Sequence, residues 1–302
     1  MIRLLKALAP NEGYTQSALA SVRLMRSDRP LGRTPVLYEP SIVIVCQGRK
    51  LGFLGDAVYV YDAQHYLVLS VPLPLFTETY ASSEEPMLAV SIRLDLLELG
   101  ELITQIGASG HHLDAPPAGI TSTRLEGHLA RATLRLLEVL NDPLDAEVLG
   151  PGIVREICYR ALTGEQGGAM RAALVQHGRF GRIARALKRI HADYAKPLSV
   201  ASLAEDAGMS VPAFHANFRA VTQTSPIQYI KSTRLHQARL MMIRDGLTAA
   251  SAAARVGYES APQFSREFKR LFGRTPMDEV REMRESFSLS PAVRLGGRGR
   301  PQ

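Results

Sequence analysis

Residues 198–230, LSVASLAEDAGMSVPAFHANFRAVTQTSPIQYI, and residues 247–280, LTAASAAARVGYESAPQFSREFKRLFGRTPMDEV, are two copies of one pattern. Leu198 matches Leu247 and Gly208 matches Gly257. After one inserted residue, Pro212, Phe214, Phe218 and Pro226 match Pro262, Phe264, Phe268 and Pro276. Each copy reads as a short alanine-rich helix, a glycine turn and a second helix. Gly208 and Gly257 can take the positive φ that a tight helix–helix turn needs. Ser210 and Ser260 stand where an N-cap belongs. Pro212 and Pro262 fall in the first turn, where a missing N–H costs little. The phenylalanine pairs at i, i+4 share one face and fix the second helix on the first.

The opposite face is then left to solvent or to a partner. In the first copy it carries Val211, Pro212, His215, Ala216 and Arg219, behind the cap Ser210. In the second it carries Pro262, Gln263, Ser265, Arg266, Lys269 and Arg270. Arginine can bond guanine N7 and O6, and glutamine can pair with adenine, so Arg266 and Gln263 suit base edges. Lys269, Arg270 and Arg219 suit phosphates. His215 is the one polar side chain of the first copy well placed for a base. A helical bundle with a solvated basic face would explain one such pattern. Two copies in register favour a paired helix-turn-helix.

Charge supports that reading. Residues 1–175 hold 15 Lys and Arg against 19 Asp and Glu, and the remainder holds 21 against 10. The net +7 therefore belongs to the C-terminal part, as for a polyanion-binding module. The 302 residues, 46% hydrophobic and 22% charged, suit two globular domains and exclude a mainly disordered or fibrous chain. No stretch is apolar over the length of a membrane span, and the N-terminus lacks a signal-peptide core. Cys46 and Cys158 form no metal pair or disulfide framework, so the chain reads as reduced and cytosolic.

Upstream, residues 34–95 read as β: short runs of Val, Ile, Leu and Tyr are punctuated every 8–12 residues, as in a small sandwich or barrel. Which side chains face inward is left open, because a one-residue slip swaps the faces. Residues 95–107 read as a helix, and 108–122 as a loop. Residues 123–141 read as an amphipathic helix capped by Thr123, with a stripe suited to subunit pairing and equally to packing on the chain's own barrel. NDPLDAEVLGPG (141–152) reads as a turn region, and 153–164 as a helix stopped by Gly164. The EQGG stretch (165–168) is the best domain boundary by composition, and residues 287–302 read as a disordered basic tail. His65 stands alone and His111–His112 sits in a loop, so no metal or cofactor is expected. Cys46 precedes Arg49 and Lys50. A cation beside the thiol would lower its pKa, which makes Cys46 a candidate redox or electrophile sensor, against the plain reading of a buried small residue.

Residues 180–286 resemble the DNA-binding domain of AraC/XylS transcription regulators. The stretches SVPAFHANFRAVTQTSPIQYIKSTRLHQAR and GYESAPQFSREFKRLFGRTP carry the resemblance. Gln223 replaces the glycine usual before S/T-P, and Ala216 lies where many relatives have arginine. The resemblance implies helix-turn-helix units at about 200–221 and 249–272, joined by a long helix and set in successive major grooves. The stretches TPVLYEPSIVIVCQGRKLGFLGDAVYVYDAQHYLVLSVPLP (34–74) and REICYRALTGEQG (155–167) resemble the N-terminal domain of one AraC-type subgroup, which implies a cupin-like domain over 1–175 that senses an effector and dimerises. The expected fold class is thus α+β multidomain: a cupin-like β-barrel with appended helices, then an all-α domain with two helix-turn-helix motifs. The expected partners are double-stranded DNA, RNA polymerase, a small-molecule effector and a second copy of the chain, in the bacterial cytoplasm and on the nucleoid. A cupin-type small-molecule enzyme and a constitutive DNA binder are the alternatives.

Overall fold

The structure, a computed structural model, describes residues 1–108, 117–174 and 178–287. His111, His112 and the expected tail from 288 onward lie outside the described residues. Helix α1 (Ile2–Leu8) precedes β1 (Gly13–Gln16), β2 (Val22–Ser27), β3 (Leu31–Tyr38), β4 (Ser41–Gln47), β5 (Arg49–Leu54), β6 (Ala57–Asp62), β7 (His65–Leu69), β8 (Leu73–Tyr80) and β9 (Met87–Arg93). Then come α2 (Leu96–Ala108), β10 (Ile120–Arg124), α3 (Gly127–Val139), α4 (Pro143–Thr163) and α5 (Gly167–Leu174). The strands form a six-stranded sheet, β1-β2-β9-β4-β7-β10, and a four-stranded sheet, β3-β8-β5-β6. All pairings are antiparallel. Pro35 sits on the edge strand β3, where no ladder hydrogen bond is required of it.

The six-stranded sheet buries both faces. Ile42, Ile44, Cys46, Val90 and Ile92 point one way, into a core shared with α1–α4. Val43, Val45, Met87 and Ala89 point the other way, into the space facing Tyr38, Leu54, Tyr61 and Leu75 of the four-stranded sheet. This explains why VYVYDAQHYLVLS alternates imperfectly: β7 is buried along nearly its whole length.

Two stretches read otherwise from the sequence take a different form. The stretch 120–124 is a strand, paired with β7 so that Thr123 lies opposite Tyr66, and the helix begins only at Gly127. Thr123 therefore caps nothing. The 141–152 segment belongs to one long helix, α4. Asp142 caps it by accepting from Leu144 N and Asp145 N at 2.8 and 3.1 Å, and Pro143 occupies its first turn. Pro151 lies within α4 on its exposed side, where water can satisfy the carbonyl it frees. The apolar stripe of α3 (Leu129, Ala132, Leu136, Leu137) is buried in the chain's own core and is not free for a partner.

The remaining helices are α6 (Gly178–Asp193), α7 (Val200–Asp206), α8 (Val211–Thr222), α9 (Pro226–Arg244), α10 (Ala249–Arg255), α11 (Ala261–Phe272) and α12 (Pro276–Phe287). The chain forms two compact units. One contains Met1–Asp193 with Leu198–Ile230, and the other Tyr194–Pro197 with the chain from Lys231 onward. The division falls inside α9. The first helix-turn-helix thus shares a unit with the β domain, and Phe214, Phe218 and Tyr229 join the same apolar core as Leu73 and Leu75. A polar relay reinforces this: His191 Nε2 lies 2.7 Å from Tyr229 Oη, which donates to the Pro72 carbonyl at 2.8 Å. Burial lowers the His191 pKa to about 4, so the ring is neutral.

Candidate DNA-binding interface

Helix α11 is built as the sequence reading expects. Phe264 and Phe268 are fully buried, with rings 5.5 Å apart, and Tyr258 and Phe272 close the stack. Ser260 Oγ accepts from Gln263 N at 3.4 Å, and Gly273 ends the helix at φ 78°. Pro262, Gln263, Ser265, Arg266, Lys269 and Arg270 are all exposed. Three of these six are cationic, and the α11 N-terminus adds its unpaired N–H groups.

The structure adds a group the sequence reading passed over. Glu267 Oε1 accepts from Lys231 Nζ at 2.7 Å and from Gln263 Nε2 at 3.2 Å, while its Oε2 accepts from the Tyr258 hydroxyl at 2.7 Å. These hydrogen bonds hold the Glu267 carboxyl below its ordinary pKa, although burial opposes them. Glu267 therefore stays ionised and orients the Gln263 amide. The i, i+4 spacing of Gln263 and Glu267 was the signal available in the sequence.

Helix α8 repeats the frame with different contents. Phe214 and Phe218 are buried, and Ser210 Oγ accepts from Ala213 N at 3.4 Å, so Ser210 serves as a cap. Val211, Pro212, Ala216 and Arg219 are exposed, and His215 is half-buried. Helix α8 ends on Gln223 at φ 55°, the one non-glycine positive φ among the described residues. Its C-terminal half lines a cleft of about 310 Å³. Asn217, Ala220, Val221 and Gln223 face Leu54 and Tyr59 of the β domain, with Phe180 and Ile183 of α6 beside them.

Each turn glycine is held by an arginine of the preceding long helix. Arg182 Nη1 donates to the Gly208 carbonyl at 3.1 Å, and Arg234 Nη1 to that of Gly257 at 3.1 Å. Arg234 also donates to the carbonyls of Tyr194 and Lys196.

Cys46 lies away from the cations that follow it in sequence. Gly48, at φ 78°, reverses the chain, Arg49 stacks on Tyr80 outside, and the Cys46 thiol faces the Met1 sulfur at 3.9 Å. Burial pushes the thiol up to about 12, which gives the sensor expectation no support. Cys158 is likewise buried and pushed up to about 12. No helix is long and apolar enough to cross a membrane, and no three candidate metal ligands come together among the described residues.

Two family profiles match the chain: the AraC-type transcriptional regulator N-terminus over residues 18–169, and a helix-turn-helix domain over residues 203–282. The transcriptional regulator AlkR of Acinetobacter baylyi is 35% identical over 94 residues, which are 31% of this chain and 31% of AlkR. The RCS-specific HTH-type transcriptional activator RclR of Escherichia coli is 36% identical over 112 residues, 36% of this chain and 37% of RclR. The match thus spans about a third of the length of each of these two relatives. Fatty-acid-bound ToxT from Vibrio cholerae shares the fold over 88% of this chain and 97% of ToxT, with a TM-score of 0.57 at 11% identity. With half its length matching the AraC-type N-terminal profile and a helix-turn-helix match following, the chain belongs to the AraC-type family of transcriptional regulators.

Proposed function

We propose that the chain is a sequence-specific, effector-responsive DNA-binding regulator. The observation that carries this is the α11 face, where Gln263, Ser265, Arg266, Lys269 and Arg270 stand exposed opposite the buried phenylalanines. Arg266 and Gln263 read bases in the major groove, Lys269 and Arg270 hold phosphates, and α8 adds His215 and Arg219 in a neighbouring groove. The β domain receives a small molecule. Its interior core continues into the first helix-turn-helix, which gives an effector a direct mechanical route to α8. That continuity favours regulation over constitutive binding. The chain works in the cytoplasm, as a homodimer that meets RNA polymerase at the promoter. Leu144, Val148 and Leu149 of α4 are exposed apolar residues available for subunit pairing.

The test is selection of genomic DNA fragments by the full chain at two salt concentrations. The full chain is needed because the first helix-turn-helix shares its core with the β domain. Enrichment of one motif about two helical turns long supports the reading. Salt-sensitive binding with no enriched motif would leave a DNA-coating protein and defeat it.

A further inference from the structure

A second cavity, of about 200 Å³, lies on the helical side of the six-stranded sheet, away from the space between the two sheets. Its walls include Tyr66 of β7, Glu126 and His128 at the start of α3, and Arg160, Thr163 and Gly164 at the end of α4. Helix α3 begins there without a side-chain cap. Glu126 holds the cap position in extended backbone, yet its carboxylate accepts nothing from the helix. Ala130 N donates to the Glu126 carbonyl at 2.9 Å as the first bond of the helix. The N–H groups of Gly127, His128 and Leu129 therefore have no backbone partner among the described residues. Such a terminus carries roughly half a positive charge.

Two side chains bring further unspent donors. Arg160 Nε is buried without a hydrogen-bond partner; Glu156 Oε1 is 3.7 Å away, and that carboxylate already accepts from Arg135. Tyr66 is 3% exposed, and its hydroxyl reaches the cavity beside Gly164, where an added Cβ would lie 3.3 Å from Oη. Thr123 stands opposite Tyr66 in the β7–β10 ladder, but its hydroxyl is buried without a hydrogen-bond partner, so the two hydroxyls are not bonded to each other. No other described residue bonds the Tyr66 hydroxyl. Donors left unmade inside a protein are disfavoured, and here they converge on one cavity.

We infer that this cavity binds a phosphate group, held by the α3 N-terminus, the Arg160 guanidinium and the Tyr66 hydroxyl. Phosphate presents oxygens in tetrahedral directions, which suits donors arriving from one strand and two helices; a carboxylate presents two oxygens in one plane. Glu126 is exposed at the rim, where it can accept the proton that hydrogen phosphate keeps and sulfate lacks. The site stands apart from both the interior of the two sheets and the α11 face. The inference thus goes beyond the proposed function and does not rest on it.

The test is thermal melting of the full-length chain with inorganic phosphate, sulfate and glycerol 3-phosphate, each against sodium chloride at equal ionic strength. Phosphate should raise the melting temperature beyond the chloride control, and sulfate should bind at least about fivefold more weakly. Arg160→Gln should weaken phosphate binding about tenfold or more, and Tyr66→Phe, which removes one oxygen and keeps the ring, about fivefold. A response confined to inorganic phosphate marks the free ion as the ligand, and an equal or larger response to glycerol 3-phosphate marks a phosphate ester; either supports the inference. No phosphate response, an equal response to sulfate, or a response that survives Arg160→Gln overturns it. The last is the result expected if phosphate sat on the α11 cations instead.

Discussion

The two helix-turn-helix copies have one backbone plan and opposite employments. The second stands in its own compact unit, with a complete aromatic core and a cationic outer face. The first is packed into the unit of the β domain, and the positions matching Gln263, Arg266 and Arg270 are Ala213, Ala216 and Ala220. On the proposed function, the copy with base-reading chemistry is the one outside the unit of the β domain, and the copy inside that unit carries alanines at the matching positions. The Phe pair and the turn glycine set the fold of each copy, leaving the outer face free to diverge.

The largest contrast is expected at the turn glycines. Gly257 has φ 84°, and a Cβ there would lie 2.4 Å from the Ala195 carbonyl oxygen. Gly257→Ala combines left-handed strain with a backbone clash that no side-chain movement relieves. We expect a loss of about 3 kcal/mol or more, read as an early thermal transition and lost DNA binding. Gly208 has φ 59°, but its Cβ would meet only the tip of Arg182, at 3.8 Å. Gly208→Ala should cost about 1 kcal/mol, from strain alone. Equal losses would show that the turns are equivalent and that Ala195 can move.

The next contrast is on DNA. Arg266→Ala should cost about 1–3 kcal/mol on the selected motif and relax sequence choice there. Loss of the same size on random DNA would reassign Arg266 to a phosphate. Lys269→Ala should weaken all sequences alike and flatten the salt dependence. Arg219→Ala, at the matching position of the first copy, tests whether α8 touches DNA at all. No change in affinity or salt slope would confine binding to the second copy.

What the sequence could show divides along physical lines. The repeat was legible because each of its signals is local: a capping serine, a proline in the first turn, phenylalanines one helical turn apart. Glycine and proline around 141–152 read as a turn, since propensity alone cannot see that Asp142 caps a helix running past Pro151. The Thr123 segment looked helical because its pairing with β7 is a distant contact. Lys50 was visible only as a neighbour of Cys46. Its inward direction follows from strand register, and register is fixed by partners far along the chain. The joining of the first helix-turn-helix to the β domain leaves no local trace, apart from the alanines where a DNA reader would carry polar groups.

The smallest expected effect probes that joint. Gln223 and Gly273 end their helices in the same left-handed conformation, at φ 55° and 78°. A side chain held there costs roughly 1 kcal/mol relative to glycine. Gly273 has open space around its Cα, so Gly273→Gln should lose about that amount. At 223 the side chain has compensation. Its Cβ packs against Gly55 in the β5–β6 turn, its Nε2 donates to the Ala220 carbonyl at 3.3 Å, and it lines the cleft beside Tyr59. Gln223→Gly releases the strain and loses those contacts, so the melting temperature should change by less than in Gly273→Gln, and upward. A clear fall instead would mean that Gln223 fastens the first copy to the β domain more strongly than its backbone resists. The residue that departs from the family glycine would then be the clasp between sensor and reader.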